Sequence, residues 1–430
     1  ALALYLRFSY VPSPYSIYKK IFKLPPGTLL TIDSKGNHSK PEKWWDYQDF
    51  LINNNSNNNF YSSDQTSYLE KIMLSAVQEQ MISDVPIGAF LSGGVDSSLI
   101  VALMQSISRI PIKTFTIGFT ENEYNESNFA TEIANYLGTD HHNFLLGSKE
   151  ALDLVPKLSQ IYDEPFADSS QIPTTLLCLK TSSKVKVSLS GDGADELFGG
   201  YTRYVIAQSL WNKISKLPIN LRQIISYIFS TVPITFWNKI YSILFKFLPR
   251  KFHVVNPGNK LFKISKLILS YSPEELYYLI VSQWVGNLPL RNSFEPNYII
   301  KDEKNWPING NFIERIMSLD SITYLPEDIL VKLDRAAMSS SLETRIPFLD
   351  ERIISFSSSI PFEQKIQNSQ GKIILRNLLS KYLPSNLYDR PKKGFGVPLE
   401  HWLRNSLKEW ADSLLTKETL NLTGFLDPDP

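Results

Sequence analysis

The stretch that decides the fold is Ile87-Gly-Ala-Phe-Leu-Ser-Gly-Gly-Val-Asp-Ser-Ser98. Its apolar start, 87–91, predicts a short buried strand, and the run 98–107 predicts a helix. A glycine-rich turn between a strand and a helix presents backbone N–H groups to an anion, and the helix N-terminus adds partial positive charge. Glycines at this turn also let a phosphate approach the backbone closely. The stretch therefore predicts a phosphate-binding loop.

The loop carries its own hydroxyls and one acid. Ser97 and Ser98 supply hydroxyl donors, and Asp96 supplies a carboxylate that would repel phosphate unless a Mg²⁺ ion bridged the two. The lysine of Gly-x-x-x-x-Gly-Lys-Ser loops is missing. Ser-Gly-Gly-x-Asp-Ser-Ser instead resembles the pyrophosphate-binding loop of enzymes that split ATP into AMP and pyrophosphate. The alternative, an ordinary strand–turn–helix, is disfavoured because so many specified positions rarely coincide.

Composition bounds the class of protein. The chain has 430 residues, enough for two or three domains, and its apolar content of 43% is typical of a soluble globular protein. The net charge of +1 indicates nothing about partners. Cys178 is the only cysteine, which excludes a disulfide framework and a multi-cysteine zinc site and favours a reducing, cytoplasmic compartment. Because Ala1 opens a helix already in progress, we expect an N-terminal fragment to be missing.

Three segments are predicted along the chain. Residues 1–50 contain the turn Leu24-Pro-Pro-Gly27 and a short strand, so this part is read as a β-rich remnant. Residues 51–63 are rich in asparagine and predict a linker. Residues 64–430 form the main domain, where strands alternate with helices. The predicted strands are 87–91, 112–119, 142–146 and 185–189, and the predicted helices include 69–77, 98–107, 125–137 and 151–162. This alternation predicts an α/β fold with a doubly wound parallel sheet, in which ligands bind beyond the carboxyl ends of the strands.

A second chemical loop, Ser190-Gly-Asp-Gly-Ala-Asp-Glu-Leu-Phe-Gly-Gly-Tyr201, follows the fourth predicted strand. Asp195 is placed to share a Mg²⁺ with Asp96, since both follow adjacent parallel strands. Asp192 or Glu196 is placed to orient an amine or take its proton. The alternative is a capped loop with solvated acids.

A basic stretch, 197–273, contains eleven Lys or Arg and neither Asp nor Glu. Pro233, Lys239 and Lys246 interrupt it too often for a membrane span. We favour a helical insertion at about 205–310 with a solvated lysine face. The alternative is contact with a membrane surface or another anionic partner.

Two later segments complete the candidate site. Residues 324–350 alternate charged and apolar positions and predict helices that cross over the site. Residues 390–398, Arg-Pro-Lys-Lys-Gly-Phe-Gly-Val-Pro, form a basic loop that can close on phosphates or a carbonyl.

With these motifs in order, nearly the whole chain resembles asparagine synthetase of the glutamine-hydrolysing type. The resemblance implies the fold of the adenine-nucleotide α-hydrolases, or pyrophosphate-loop enzymes, with added helices. Residues 1–50 are similar to the tail of that family's N-terminal glutaminase domain, a class II amidotransferase. That domain's nucleophilic cysteine has no counterpart here, because Cys178 lies in the other domain. We also expect the chain to stop short at its C-terminus.

The resemblance implies the chemistry. The side-chain carboxylate of aspartate attacks the α-phosphorus of ATP, which gives β-aspartyl-AMP and pyrophosphate. Ammonia, from glutamine in the full-length protein, then gives asparagine and AMP. Asp96 and Asp195 would hold Mg²⁺, and Asp192, Glu196 and Lys392 would act in catalysis. The implied ATP-binding residues are Phe90, Ser92, Gly93, Gly94, Asp96, Ser97, Ser98, Ile117, Ser190 and Gly191.

Two departures leave the acceptor acid open. Some members carry Glu where this chain has Asp192, and some carry a Thr–Arg pair where it has Asp163-Glu-Pro-Phe-Ala-Asp-Ser-Ser170. The alternative acceptor is another carboxylic acid, in a specialised or cell-surface polysaccharide pathway. A tRNA-modifying enzyme of the same loop class is disfavoured by the single cysteine and the acid cluster, and a non-enzymatic scaffold by the intact site. We expect small-molecule partners, no nucleic acid and a possible homodimer.

Overall fold

The computed structural model describes residues 1–55, 64–120, 125–244, 257–292, 294–308, 310–390 and 397–428. Most of the predicted linker, and the part of the basic loop that contains Lys392, lie outside these residues. The strands are β1 (Thr28–Leu29), β2 (Glu42–Lys43), β3 (Ile87–Phe90), β4 (Lys113–Phe119), β5 (Asp140–Leu146), β6 (Val187–Leu189), β7 (Glu343–Arg345), β8 (Ile366–Gln367) and β9 (Gln370–Gly371).

Five of these strands form one parallel sheet, in the order β5-β4-β3-β6-β7. The chain enters at the central strand β3, moves outward through β4 and β5, and returns to the other side of β3 with β6 and β7. This order confirms the predicted doubly wound α/β fold. It also places the reversal of strand order between β3 and β6, where open α/β sheets bind their ligands.

The central strands are apolar because both faces of the sheet are covered. Gly88 of β3 has no room for a side chain, since a Cβ there would lie 2.6 Å from the Phe115 ring. Ala89 and Leu91 contribute to one hydrophobic core, and Phe90 contributes to another. Successive side chains of a strand point to opposite faces of the sheet, so neighbouring residues of β3 contribute to different cores.

Some of the helices cover the two faces of this sheet, and the others lie elsewhere in the described residues. The helices are α1 (Leu2–Phe8), α2 (Tyr47–Asn55), α3 (Gln65–Gln80), α4 (Val95–Ile107), α5 (Ser127–Leu137), α6 (Ser148–Leu154), α7 (Leu158–Tyr162), α8 (Gln171–Ser182), α9 (Ala194–Phe198), α10 (Thr202–Ile214), α11 (Ile219–Thr231), α12 (Ile234–Leu244), α13 (Pro257–Leu267), α14 (Pro273–Val281), α15 (Phe312–Ile322), α16 (Leu330–Met338), α17 (Glu351–Ser359), α18 (Phe362–Lys365), α19 (Ile373–Leu379), α20 (Leu399–Arg404), α21 (Lys408–Leu414) and α22 (Lys417–Thr423). Helices α3, α4, α5 and α19 share the core of Ala89 and Leu91, whereas α8 and α16 share that of Phe90.

The structure differs from the sequence prediction at several elements. Strand β7 falls in a segment predicted to be helical, because its charged residues give no strand pattern and only its pairing with β6 defines it. The predicted helix 151–162 is broken into α6, a 3-10 turn and α7, since Pro156 cannot continue the helix. Helix α4 begins at Val95, three residues earlier than predicted, which brings Asp96 into its first turn.

The N-terminal segment packs onto the main sheet domain. Ala3, Leu4 and Phe8 of α1 are buried, and the Ala167 N–H donates to the Ser9 carbonyl at 2.8 Å. Helix α2 continues to Asn55, so the first residues of the predicted linker are helical.

The described residues divide into two compact units. The first contains residues 1–202, 289–296 and 317–430, and the second contains 203–288 and 297–316. The second unit covers most of the predicted insertion and has its own core of Ile214, Leu267, Ile268 and Leu276. No helix in the described parts of the chain is both long and apolar enough to cross a membrane. Contact with a membrane surface stays a prediction.

Candidate active site

The candidate site lies at the carboxyl ends of β3 and β6, where the strand order reverses. The chain leaves β3 through Ser92, Gly93 and Gly94 into α4, and leaves β6 through 190–193 into α9. Two parallel strands therefore deliver both predicted loops to one edge of the sheet.

The first loop is closed by its own serines. The Ser92 N–H donates to Ser97 Oγ at 3.1 Å, and the two hydroxyl oxygens are 2.9 Å apart. Gly93 has a φ of +76°, and a Cβ there would lie 3.1 Å from the Ala130 nitrogen. Ser98 is fully buried, and its hydroxyl makes no hydrogen bond to the described residues. An unmade hydrogen bond in a buried place is typical of a position that a ligand or water completes.

The second loop approaches the first at Gly191. A Cβ on Gly191 would lie 2.8 Å from the Ser97 nitrogen and 2.9 Å from the Asp96 carbonyl carbon. Only glycine permits this distance, so the motif residue is required for the two loops to meet.

Lys372 joins the two predicted metal ligands. Its Nζ lies 2.5 Å from Asp96 Oδ2 and 2.6 Å from Asp195 Oδ1, and its side chain is 7% exposed. Burial alone would lower the pKa of Lys372, but the carboxylates of Asp195 and Asp96 outweigh burial and raise it. The sequence prediction missed this residue, because no spacing rule links it to acids far away in the chain.

The Gly-Gly pair of the second loop makes room for Lys372. A Cβ on Gly200 would lie 1.9 Å from Asp195 Oδ1 and 2.1 Å from Lys372 Cε. Gly371, just before the lysine, would likewise strike the carbonyl oxygen of Gly199. The Lys372 N–H donates to the Phe198 carbonyl at 3.1 Å. Gly371 is therefore explained by the close approach of two backbones, and Gly200 by the side chains of Asp195 and Lys372 that lie against it.

The donor set fits Mg²⁺. Oxygens of Asp96 and Asp195 converge on one cationic position, and Mg²⁺ is usually held by one or two carboxylates together with substrate phosphates and water. Clusters of three or more metal-ligating side chains do not occur among the described residues. Because Lys372 Nζ already lies between these oxygens, a metal held by the same carboxylates would have to lie beside the ammonium and take its other ligands from a bound substrate and water.

The two remaining acids of the second loop have different surroundings. Glu196 is 1% exposed and accepts a hydrogen bond from the Tyr201 hydroxyl at 2.8 Å. Burial, reinforced by the charge of Asp195, raises the pKa of Glu196 to about 8. Asp192 is half-buried and accepts from the Ser190 hydroxyl at 2.6 Å. Burial is the main cause of the raised pKa of Cys178 on α8, and the charge of Asp192 raises it further. Asp192 is therefore the more accessible of the two acids, and Glu196 is the enclosed one.

A buried ion pair missed by the sequence prediction lies beside Asp192. Lys332 on α16 donates from Nζ to Asp168 Oδ2 at 2.7 Å. Burial lowers the pKa of Lys332, but Asp168 and Asp328 outweigh it, with a smaller contribution from Asp192, so the pKa is raised. The signal lay in the sequence as an acid before α8 and a lysine on a predicted helix, but nothing paired them.

Arg390, the start of the predicted basic loop, is attached to the first loop. Its Nη2 donates to the Gly93 carbonyl at 3.0 Å and to the Leu387 carbonyl at 2.8 Å, and its guanidinium carbon lies 3.6 Å from the Phe129 ring centroid. The Phe129 ring on α5 is 40% exposed and lies under this cation. Lys392 lies outside the described residues, so its role stays a prediction.

A cavity of about 360 Å³ lies between the N-terminal segment and residues 158–171, and no residue of the phosphate loop lines it. Its lining includes Tyr5, Tyr18, Tyr162, Phe166 and Gln171. The Tyr162 and Phe166 rings stack with centroids 4.9 Å apart.

An open parallel sheet with this loop at its reversal point defines an α/β protein of the pyrophosphate-loop class. Within that class the chain belongs to the asparagine synthase family, whose model, described as "Asparagine synthase", matches residues 69–430. The match covers all the elements that build the site.

Named relatives agree with this assignment. "Asparagine synthetase [glutamine-hydrolyzing] 1" of Bacillus subtilis (strain 168) is 30% identical over 422 residues, which cover 96% of this chain and 61% of that protein. "Putative asparagine synthetase [glutamine-hydrolyzing]" of Mycobacterium tuberculosis (strain H37Rv) is 32% identical over 426 residues, covering 96% of this chain and 60% of that protein. "Amidase chyE" of Penicillium rubens is 24% identical over 449 residues, covering 96% and 64%. The chain thus spans about three-fifths of the length of these relatives.

Proposed function

We propose that the chain carries out ATP-dependent amide formation, with the side-chain carboxylate of aspartate as acceptor. A carboxylate oxygen bonds to the α-phosphorus of ATP as the bond from that phosphorus to pyrophosphate breaks, which leaves β-aspartyl-AMP. The nitrogen of ammonia then bonds to the acyl carbon, AMP departs, and asparagine forms after loss of a proton. In a full-length protein, glutamine would supply the ammonia.

One observation carries this proposal. The serine-glycine loop, Asp96 and Asp195 converge on one cationic position at the β3–β6 reversal. That combination suits a polyphosphate leaving group. Backbone N–H groups, a helix N-terminus and an ammonium group each stabilise the negative charge of bound phosphates. The names of the relatives support aspartate as the acceptor.

The residues take the following roles in the proposal. The 92–98 loop binds the phosphates, and the adenosine lies against the main chain near Phe90, Ile117, Ser190 and Gly191. Asp96 and Asp195 would hold Mg²⁺, which would neutralise charge on the departing pyrophosphate. Lys392 would also stabilise the negative charge on the departing pyrophosphate.

Asp192 is the better candidate for taking the proton from the attacking amine. It is half-buried and oriented by the Ser190 hydroxyl, whereas Glu196 is enclosed and bonded to Tyr201. A general base must reach the proton that it takes, and enclosure denies Glu196 that reach. Glu196 therefore supports the loop through Tyr201.

The experiment is acid-dependent pyrophosphate release. The chain is incubated with ATP, Mg²⁺ and ammonium, so that no glutamine hydrolysis is needed, across a panel of carboxylic acids. We expect AMP, pyrophosphate and asparagine in equal amounts with aspartate, and none from Asp96→Asn. If no acid stimulates release, the proposal is wrong.

Two observations keep a second acceptor acid as an alternative. The 163–170 segment carries no arginine, and an amidase-named protein is among the relatives. Release with a different carboxylic acid alone would keep the adenylation chemistry and replace aspartate as the acceptor.

A further inference from the structure

Lys332 is a nearly buried cation with unused hydrogen-bond donors. Its side chain is 13% exposed, and its only hydrogen-bond partner within the described parts of the chain is Asp168, at 2.7 Å. An ammonium group has three N–H donors, so two of them are left for a ligand or water. A buried cation with unmet donors is costly unless something completes it.

The position of this ammonium is fixed before any ligand binds. Asp168 Oδ1 accepts from the Ser170 N–H at 2.9 Å and from the Ser170 hydroxyl at 2.7 Å, which leaves Oδ2 for the lysine. The Lys332 carbonyl accepts a hydrogen bond from the Tyr162 hydroxyl at 3.2 Å. Both ends of the lysine are therefore held, as a recognition group requires.

Lys332 lies on a helix that packs on the face of the sheet opposite the phosphate loop. Helix α16 packs with α8 on the face of the sheet that Phe90 covers, whereas α4 and its phosphate loop lie on the opposite face. Asp192, the proposed proton acceptor, is close enough for its charge to act on Lys332. The phosphates have Lys372 as their own cation.

We propose that Lys332 binds a carboxylate of the acceptor acid other than the one that is activated, and that it thereby selects acids with a second carboxylate. This inference rests on the proposed function and makes it more specific. In aspartate, the group bound by Lys332 is the α-carboxylate. Asp168 acts as a positioning residue, because it holds the ammonium and does not touch the substrate.

The test uses two substrates that differ by one group. Aspartate and 3-aminopropanoate carry the same reacting carboxylate, with the amine-bearing carbon one CH2 group away, but only aspartate has the α-carboxylate on that carbon. ATP–pyrophosphate exchange measures activation of each acid without a nitrogen donor. In Lys332→Met we expect kcat/KM for aspartate to fall about 10- to 100-fold, the loss typical of a hydrogen bond to a charged group. The value for 3-aminopropanoate should stay within about twofold, so the preference between the two acids collapses.

The matched control is Lys381→Met. Lys381 pairs with Glu70 at the same distance, 2.7 Å, but is 40% exposed and lies on the outer surface of the first unit. Its loss should leave both acids unchanged. If Lys332→Met does not fold, Lys332→Gln keeps a donor for Asp168 without the charge, and its expected collapse of preference is the same.

The outcomes separate the two proposals. An unchanged preference for aspartate in a folded Lys332 variant overturns the inference and leaves the proposed function standing. Equal losses with both acids also overturn it, because they indicate a structural role. No acid-dependent exchange by the unmodified protein overturns both.

Discussion

Replacement of Lys372 by methionine tests the central ion cluster. Methionine is similar in length but carries no charge, so Asp96 and Asp195 would both lose the ammonium that they share. Their side chains are each 19% exposed, so solvent screens them poorly. Removing one partner from a buried ion pair typically costs about 3–5 kcal/mol, whereas loss of an exposed pair costs about 0–1 kcal/mol. We therefore expect Lys372→Met to lower the free energy of unfolding by about 3–5 kcal/mol.

The assay is urea unfolding of the full chain in EDTA. Lys381→Met is the control, since it removes an exposed lysine–glutamate pair. Adding Asp195→Asn to Lys372→Met should recover part of the loss, because only one of the two carboxylates is then charged without the Lys372 ammonium beside it. If Lys372→Met and Lys381→Met unfold at the same urea concentration, Lys372 does not neutralise the two aspartates. That result would refute our account of the cluster.

Three further predictions follow from other contacts. Gly200→Ala would place a Cβ 2.1 Å from Lys372 Cε, so the lysine must move, and we expect ATP-dependent pyrophosphate release to be lost while the protein stays folded by circular dichroism. The folded state keeps the proton of Glu196 up to a pKa of about 8, whereas the unfolded carboxyl loses it near 4.5, so stability falls as pH rises through that window. Glu196→Gln removes this dependence. Between about pH 5.5 and about pH 7.5, the free energy of unfolding measured in urea should therefore fall by about 2 kcal/mol less in the variant than in the unmodified protein. Arg390→Met frees the Gly93 carbonyl, and we expect calorimetric affinity to fall for ATP and pyrophosphate but not for AMP. Equal effects on ATP and AMP would contradict a role at the phosphate loop, and an unchanged pH slope in the glutamine variant would contradict the raised pKa.

Two matched substitutions serve as controls. A Cβ on Gly147 meets nothing closer than 4.0 Å, so Gly147→Ala should keep pyrophosphate release. Arg404, 75% exposed, pairs only with its helix neighbour Glu400 among the described residues, so Arg404→Met should leave nucleotide binding unchanged.

The fold was predictable from the sequence wherever a pattern is local. The run 87–91 gave β3 because burial on both faces requires a continuous apolar segment, and the turn residues after it fixed the loop. Strand β7 was not predictable, because Glu-Thr-Arg has no apolar pattern and becomes a strand only through pairing with β6. Local rules carry no information about a pairing between distant segments.

The same limit explains what was found and missed at the site. Asp96 and Asp195 were predicted to meet because they follow adjacent parallel strands, and the structure brings their oxygens to one point. Lys372 was missed because it comes from a helix start with a positive φ, 62°, far along the chain. Lys392 and the linker at 56–63 lie outside the described residues and stay predictions.

The two lysines that the motifs do not contain divide the site between them. Lys372 lies among the acids that follow β3 and β6, whereas Lys332 lies on the α16 face, beside Asp192. A loop motif determines how a phosphate is bound, since backbone N–H groups and glycines suffice for that. It does not determine which acid is activated, and in our proposal that acid is recognised by side chains on helices that cross the other face of the sheet. Under this proposal, family membership fixes the nucleotide side of the reaction more firmly than the acceptor, which Lys332 selects while Asp168 holds its ammonium in place.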